Sequence, residues 1–287
     1  MTIEVVNFTD TKTLFSNLEA LALDRRDVLF RGHRDASWEV ASTLSRYTTM
    51  PLRSYAPDLE DNLLFFMYKM KSLGQIPFSK LERRAVLEFA RHHGIPTPVI
   101  DFSWSPYVAA YFAFSSIQWK HGSPPQDAAI ISVDMQKLGQ GWVRTFGLPP
   151  SEYDKFMHED DDFFGRGYPA DVLKFMYFPA SWNTRMQRQQ GSFLYDAIDY
   201  AGTGAFRSLE DFIRSIDEPT DATTGTKLPT MTKFLAPHNI VGDVLARLEM
   251  TNVSGSNLLD HEGVAVDVMS GYNHNRKIGY TWDMIFE

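Results

Sequence analysis

The chain of 287 residues contains no cysteine. That excludes a disulfide framework, a thiol nucleophile and a zinc site built on thiolates. It suits a reducing compartment. Long apolar runs are missing too. No window approaches the roughly 18 uninterrupted apolar residues of a membrane span, so no membrane association is expected. The opening residues, Met1 to Lys12, lack the basic start and apolar stretch of a secretory signal. A cytoplasmic location is therefore expected. Positive charge is not in excess. A net charge of −8 disfavours strong non-specific nucleic-acid binding, which needs a basic surface. Lys80, Arg83, Arg84 and Arg91 still lie close together in sequence. A P-loop, a Gly-rich dinucleotide fingerprint, a His-Glu-x-x-His pair and a Gly-x-Ser-x-Gly elbow are all absent. With them go the simplest nucleotide-hydrolase, zinc-protease and serine-hydrolase readings. No metal site is expected. The acidic group from His158 to Asp162 reads as a solvated loop.

What is present suits a folded globular protein. Hydrophobic residues make up 44% and charged residues 22%, enough apolar material for a full core. Val5 to Leu23 reads as a strand and then a helix. Val28 to Phe30 is a compact strand ending in Arg31-Gly32-His33. Trp38 to Leu44 reads as extended, through the alternation of Trp38, Val40 and Ser42. Pro57 to Lys71 and Ser79 to His92 read as helices, the second with Ser79 and Glu82 spaced as a capping box. Ala128 to Val133 is a continuous apolar run, as in a buried strand. Residues 136–170, rich in Gly, Pro and Asp, read as a long irregular insertion. Strands are expected at Val172–Phe178, in the apolar half of Gln187–Tyr195 and at Thr230–Leu235. Helices are expected at Ser208–Ile216 and Ile240–Met250. Residues 122–126 and 217–227 read as loops. The pattern predicts one α+β domain, with a mixed, mostly antiparallel sheet and helices packed around it.

Glu88 to Phe114 is the most informative stretch. An apolar-striped helix runs into His92-His93-Gly94. A short strand, Val99-Ile100, then meets a polar and aromatic elbow, Asp101-Phe102-Ser103-Trp104-Ser105-Pro106. A second helix starts at once. Such an elbow places side chains at a cleft on a rigid support, and the free N–H groups of the helix start suit an anion.

Several ordered motifs resemble the FRG domain. They begin with Phe30-Arg31-Gly32, followed by Trp38 and Ser42-Thr43-Leu44-Ser45-Arg46. Ala90-Arg91-His92-His93-Gly94-Ile95-Pro96-Thr97 and Asp101-Phe102-Ser103-x-Ser105-Pro106 continue the pattern. Asn183-x-Arg185, Gln190-Gly191-x-Phe193 and Leu258-Leu259-Asp260-x-x-Gly263 complete it. Arg91 and Phe102 depart from the usual Gln and Trp. The resemblance spans residues 26–268, leaving an N-terminal extension at 1–25 and a tail at 269–287.

The motif order is also similar to that of ADP-ribosyltransferases, with Arg31, Ser103-Trp104-Ser105 and Gln190 as successive elements. That similarity implies NAD as a substrate, lying between the Arg31 strand and the elbow. Arg31, Gly32, His33, Ser103, Trp104, Ser105 and Tyr107 would bind it, and Arg31, Asp101 and Gln190 would carry the chemistry. It implies an unidentified macromolecular acceptor or protein partner, and by analogy a bacterial toxin or phage-defence effector. The alternative is a non-catalytic nucleotide- or peptide-binding module of a defence or toxin–antitoxin system.

The residues themselves leave both roles open. Arg31 offers a planar fork for phosphate or carboxylate, or a tie inside the fold. Asp101 can serve a developing cation, or pair with Arg31. Ser103 suits a ligand or a cap. Ser105 before Pro106 suits an N-cap. Trp104 and Tyr107 can stack on a flat ring or fill the core. His92 or His93 can sit at the negative end of the helix dipole. Gln190 can orient a ribose hydroxyl but supplies no negative charge.

Overall fold

The computed structural model describes residues 3–24, 27–48, 52–77, 83–115, 117, 126–145, 147, 149–151, 153, 172–176, 183–197, 208–215 and 229–273. Seven strands of the described residues form one sheet. They are β1 (Ile3–Asn7), β2 (Val28–His33), β3 (Val99–Ser103), β4 (Ala128–Asp134), β5 (Val172–Met176), β6 (Gly191–Ala197) and β7 (Met231–Ala236). Their spatial order is β1-β7-β4-β2-β3-β6-β5. Only β1 and β7 run parallel; every other pairing is antiparallel. The fold is therefore α+β with a mixed, mostly antiparallel sheet, as expected.

Ten helices of the described residues pack on this sheet. They are α1 (Thr11–Asp24), α2 (Thr43–Tyr47), α3 (Leu52–Ser72), α4 (Arg83–His92), α5 (Pro106–Phe114), α6 (Met135–Thr145), α7 (Thr184–Arg188), α8 (Leu209–Ser215), α9 (Val241–Met250) and α10 (Gly255–Asn273). None is long and apolar enough to cross a membrane. Successive strand residues face opposite sides, so β2 and β4 feed two cores at once. Val28 and Phe30 join Phe15, Phe114, Phe234 and Val244 on one side. Leu29 joins Ile131, Leu138, Trp142, Leu194 and Phe212 on the other. A third core lies beside the first, where α3 and α4 cover Val99 and Phe193. Burial on both faces explains why β4 reads as an unbroken apolar run.

Two expectations need correction. The stretch Trp38–Leu44, expected as extended, pairs with no strand, and its last two residues, Thr43 and Leu44, open α2. Its backbone is held by α8: the Val40 N–H donates to Glu210 Oε2 at 2.7 Å, and its carbonyl accepts from the Leu209 N–H at 2.7 Å. Ser42 then caps α2 by accepting from the Ser45 N–H. The stretch 136–170 is not irregular at its start. Helix α6 occupies Met135–Thr145, because Leu138 and Trp142 bury into the second core. That packing overrides the poor helix propensity of Gly139 and Gly141. Helix α10 continues to Asn273. The proposed cap at Ser79 and Glu82, most of the 122–126 loop, the 217–227 loop and the acidic group at 158–162 lie outside the described residues.

One close approach fixes how the site is built. A Cβ on Gly32 would lie 2.0 Å from the Ala109 carbonyl oxygen and 2.5 Å from the Ala113 nitrogen. Helix α5 therefore rests directly on the backbone of β2. Its two alanines, one turn apart, make room for that contact.

Candidate functional site

Strands β2 and β3 meet at a single residue pair, Phe30 with Ser103. Beyond it they diverge, and a cleft of about 470 Å³ opens between the first and third cores. Its polar side is built by Arg31, Arg91, His92, Asp101, Arg185 and Gln189. Its apolar side is Phe30, Val108, Phe112 and Met186. Three guanidinium groups face one carboxylate here, in a chain whose net charge is −8. The local field therefore favours an anion against the trend of the whole molecule.

Arg31 spans the split. Its Nη1 donates to the Asp101 carbonyl at 2.5 Å, and its Nε donates to His33 Nε2 at 2.9 Å. Since Nε2 accepts, His33 is neutral with its proton on Nδ1. Burial, then the Arg31 charge, drives its pKa down to about 3. His33 is buried and outside the cleft lining. It orients Arg31 and does not reach the cleft. Burial also works against the Arg31 charge, and Asp101 offsets part of that.

Asp101 pairs mainly with Arg91, at 2.5 Å, and only distantly with Arg31, at 3.9 Å. The expected Arg31–Asp101 partnership is therefore secondary. Asp101 lies half-exposed in the cleft, 40% accessible, so its carboxylate can meet a ligand.

The elbow serves largely to hold itself. Ser105 caps α5, accepting from the Val108 N–H with Pro106 at the first helical position. Ser103 lines the cleft, but its hydroxyl donates to the Gln189 carbonyl at 2.7 Å and accepts from the Ser105 N–H at 3.0 Å. Trp104 packs against the second core, and its backbone N–H donates to the Gln190 carbonyl. Tyr107 stacks on Phe15 and donates to Glu19 at 2.9 Å. Neither ring is among the cleft-lining residues. Gln190 is exposed, with φ of +46°, in the turn before β6. Its neighbour Gln189 lines the cleft instead. Gly32 lines it through its backbone.

The structure brings in residues that sequence reasoning did not assign to the site. Glu88, Arg91 and His92 share one face of α4, at spacings of three and four. Gly94, with φ of +78°, then ends the helix. Asn183 caps α7 by accepting from the Met186 N–H, and its amide nitrogen reaches Glu88 Oε1 at 2.6 Å and His92 Nε2 at 2.7 Å. His92 thus serves this buried network, not the helix dipole. Burial drives its pKa down to about 4 and pushes Glu88 up to about 7. Arg185 is shared between the cleft and Glu262 on α10, at 3.1 Å. Arg188 pairs with Asp260, and Gln189 Nε2 donates to the Leu258 carbonyl. These contacts tie the α7 wall of the cleft to the kink in α10 at Asp260, where φ is +53°. The Asn183-x-Arg185 motif was the sequence signal for this wall.

Residues 26–121, which carry β2, α4, β3 and α5, match the FRG domain. The chain contains an FRG domain. The matched segment supplies Arg31, Arg91, His92 and Asp101. The facing wall of the FRG cleft, with Arg185, Met186 and Gln189, comes from beyond it. No curated protein and no solved structure matches the chain.

The shifted groups set a stability profile. His33 and His92 hold pKa values below the ordinary 6.5, so the stability they contribute is present above 6.5 and lost as pH falls toward about 4 and 3. Glu88 is raised from 4.5 to about 7, so its contribution is full below 4.5 and lost as pH rises through about 7. Burial raises Glu210 as well, so between 4.5 and 6.5 two histidines are opposed by two glutamates and their effects largely offset. Above 6.5 the histidine gain is complete and the loss from the glutamates remains. Melting temperature is expected to decline between pH 6.5 and 8. Glu88→Gln should reduce that decline; an unchanged profile in thermal melts would refute it.

Proposed function

We propose that the FRG cleft binds NAD and transfers ADP-ribose from it to a macromolecular acceptor. The observation that carries this reading is the convergence of Arg31, Arg91 and Arg185 on a cleft that also holds the accessible carboxylate of Asp101. Guanidinium forks match the oxygens of a pyrophosphate. The wall of Phe30, Phe112 and Met186 suits a flat ring. In the reaction the bond between ribose C1′ and the nicotinamide nitrogen breaks, and nicotinamide leaves with the electron pair. The acceptor's nucleophile forms the new bond to C1′ and gives up its proton. Asp101 stabilises the positive charge that develops on the ribose, the role preorganised charges play in such steps. An NAD consumer of this kind suits a toxin or phage-defence effector of the cytoplasm.

A second reading, a nucleotide-binding module without turnover, is favoured by one specific contact. Arg91 sits 2.5 Å from Asp101 and competes for its carboxylate. Asp101→Asn separates the two. As an enzyme, the variant should release nicotinamide from labelled NAD at least about a hundredfold more slowly. It should bind NAD no more weakly than before, because a negative charge has left the cleft. Tight NAD binding with no release from the unaltered protein, alone or with lysate, would leave the binding module. Absence of both would remove NAD from consideration.

A further inference from the structure

We propose that Asn183 fixes His92 as a neutral ring with its proton on Nδ1, and that this N–H donates to a phosphate oxygen of the ligand in the cleft. The proposal rests on the reading of the cleft as a phosphate site. Its first half follows from hydrogen-bond inventory. Asn183 Oδ1 accepts from the Met186 N–H at 3.0 Å. That contact fixes which end of the amide is oxygen, because a flipped amide would set two donors against each other. The amide nitrogen therefore points the other way. It carries two hydrogens and meets two partners, Glu88 Oε1 at 2.6 Å and His92 Nε2 at 2.7 Å. An amide nitrogen does not accept, so His92 Nε2 carries a lone pair and the ring proton is on Nδ1.

The surroundings agree. Burial, Arg185, Arg91 and His93 all disfavour an imidazolium at this position, and Asp101 alone of the charged neighbours favours it. Glu88 lies 3.9 Å from His92 Nε2. Burial favours the protonated form of Glu88, which weakens any pull toward a charged ring. His92 lines the cleft, and its Nδ1 makes no hydrogen bond within the described residues. The ring thus turns one nitrogen to the buried network and leaves the other for the cleft. Asn183 is a positioning residue in this scheme; His92 is the one that touches ligand.

Long-range ¹H–¹⁵N correlation on histidine-labelled protein at neutral pH reads the ring directly. The expected ligand-free spectrum of His92 shows a protonated Nδ1 and a bare Nε2, and inorganic pyrophosphate should shift Nδ1. Asn183→Asp keeps an oxygen to cap Met186 but removes both amide donors. Its ring proton should move to Nε2, and pyrophosphate should bind about tenfold more weakly or worse. Glu88→Gln still offers Asn183 an acceptor oxygen and should leave the tautomer unchanged. An Nε2-protonated or doubly protonated His92 in the unaltered protein overturns the proposal, whatever the variants do. So does pyrophosphate that binds with Arg31 dependence yet leaves Nδ1 unmoved. Pyrophosphate and NAD that both fail to bind overturn the phosphate reading and the donor role together. The tautomer is then judged separately on the ligand-free spectrum.

Discussion

Gly32→Ala is expected to lose about 3 kcal/mol or more of stability, enough to depopulate the folded state of a protein with ordinary reserves. The added methyl has nowhere to go. It would meet the Ala109 carbonyl oxygen at 2.0 Å and the Ala113 nitrogen at 2.5 Å, both backbone atoms. No side-chain rotation relieves either contact, so α5 must lift from β2 by more than an ångström. That displacement opens the first core, where Val108, Ala110 and Phe114 are buried against α1, β2 and α9. Gly191 offers the control. There an added methyl meets the flexible end of the Met186 side chain at 2.5 Å, which can swing away. Urea denaturation should show Gly32→Ala far less stable than Gly191→Ala. A Gly32→Ala protein that melts within a few degrees of the unaltered one would mean that β2 and α5 do not pack backbone to backbone.

Arg31→Ala should weaken NAD or pyrophosphate binding by about a hundredfold and cost about 2 kcal/mol of stability. Both effects have one origin. The guanidinium is the main side-chain bridge across the split between β2 and β3, with hydrogen bonds to His33 and to the Asp101 carbonyl. It also presents charge to the cleft, where its side chain is 16% exposed. Arg31→Lys tests the geometry. It restores charge but cannot reach His33 and the Asp101 carbonyl at once, so it should recover stability only in part and affinity hardly at all. Calorimetric titration with pyrophosphate, alongside urea denaturation, reads both. Unaltered affinity in Arg31→Ala would place the anion elsewhere.

The sheet was legible in sequence because its strands are short apolar runs with clear ends, as at Ala128–Val133. The cap at Ser105-Pro106 was legible because it is local chemistry. Asp101 and Arg31 were found together with their secondary pairing, yet the principal partners, Arg91 for Asp101 and His33 for Arg31, were not. Arg91 lies ten residues from Asp101, on another element, and nothing local announces that a helix will turn it toward a strand. Trp104 and Tyr107 show the opposite limit. An aromatic beside an elbow can face a ligand or the core, and the side it faces is fixed by strand alternation and by distant partners such as Glu19. Helix α6 was hidden by two glycines, since propensity does not register the core that waits for Trp142. Asn183 was read as part of a motif, but the buried groups it joins are contributed by α4, 91 and 95 residues earlier in the chain.

The single backbone pairing between β2 and β3 has an implication for the boundaries of the unit. Residues 26–121 form a recognisable stretch of sequence, yet within them the two strands are joined by Phe30 and Ser103 alone. Their remaining edges are satisfied by β4 on one side and β6 on the other, and both lie outside the stretch. A fragment cut at its limits would expose two bare strand edges and half a cleft. The segment that matches the family is thus smaller than the segment that folds. Whatever the cleft does, the later half of the chain must be present for it to be done.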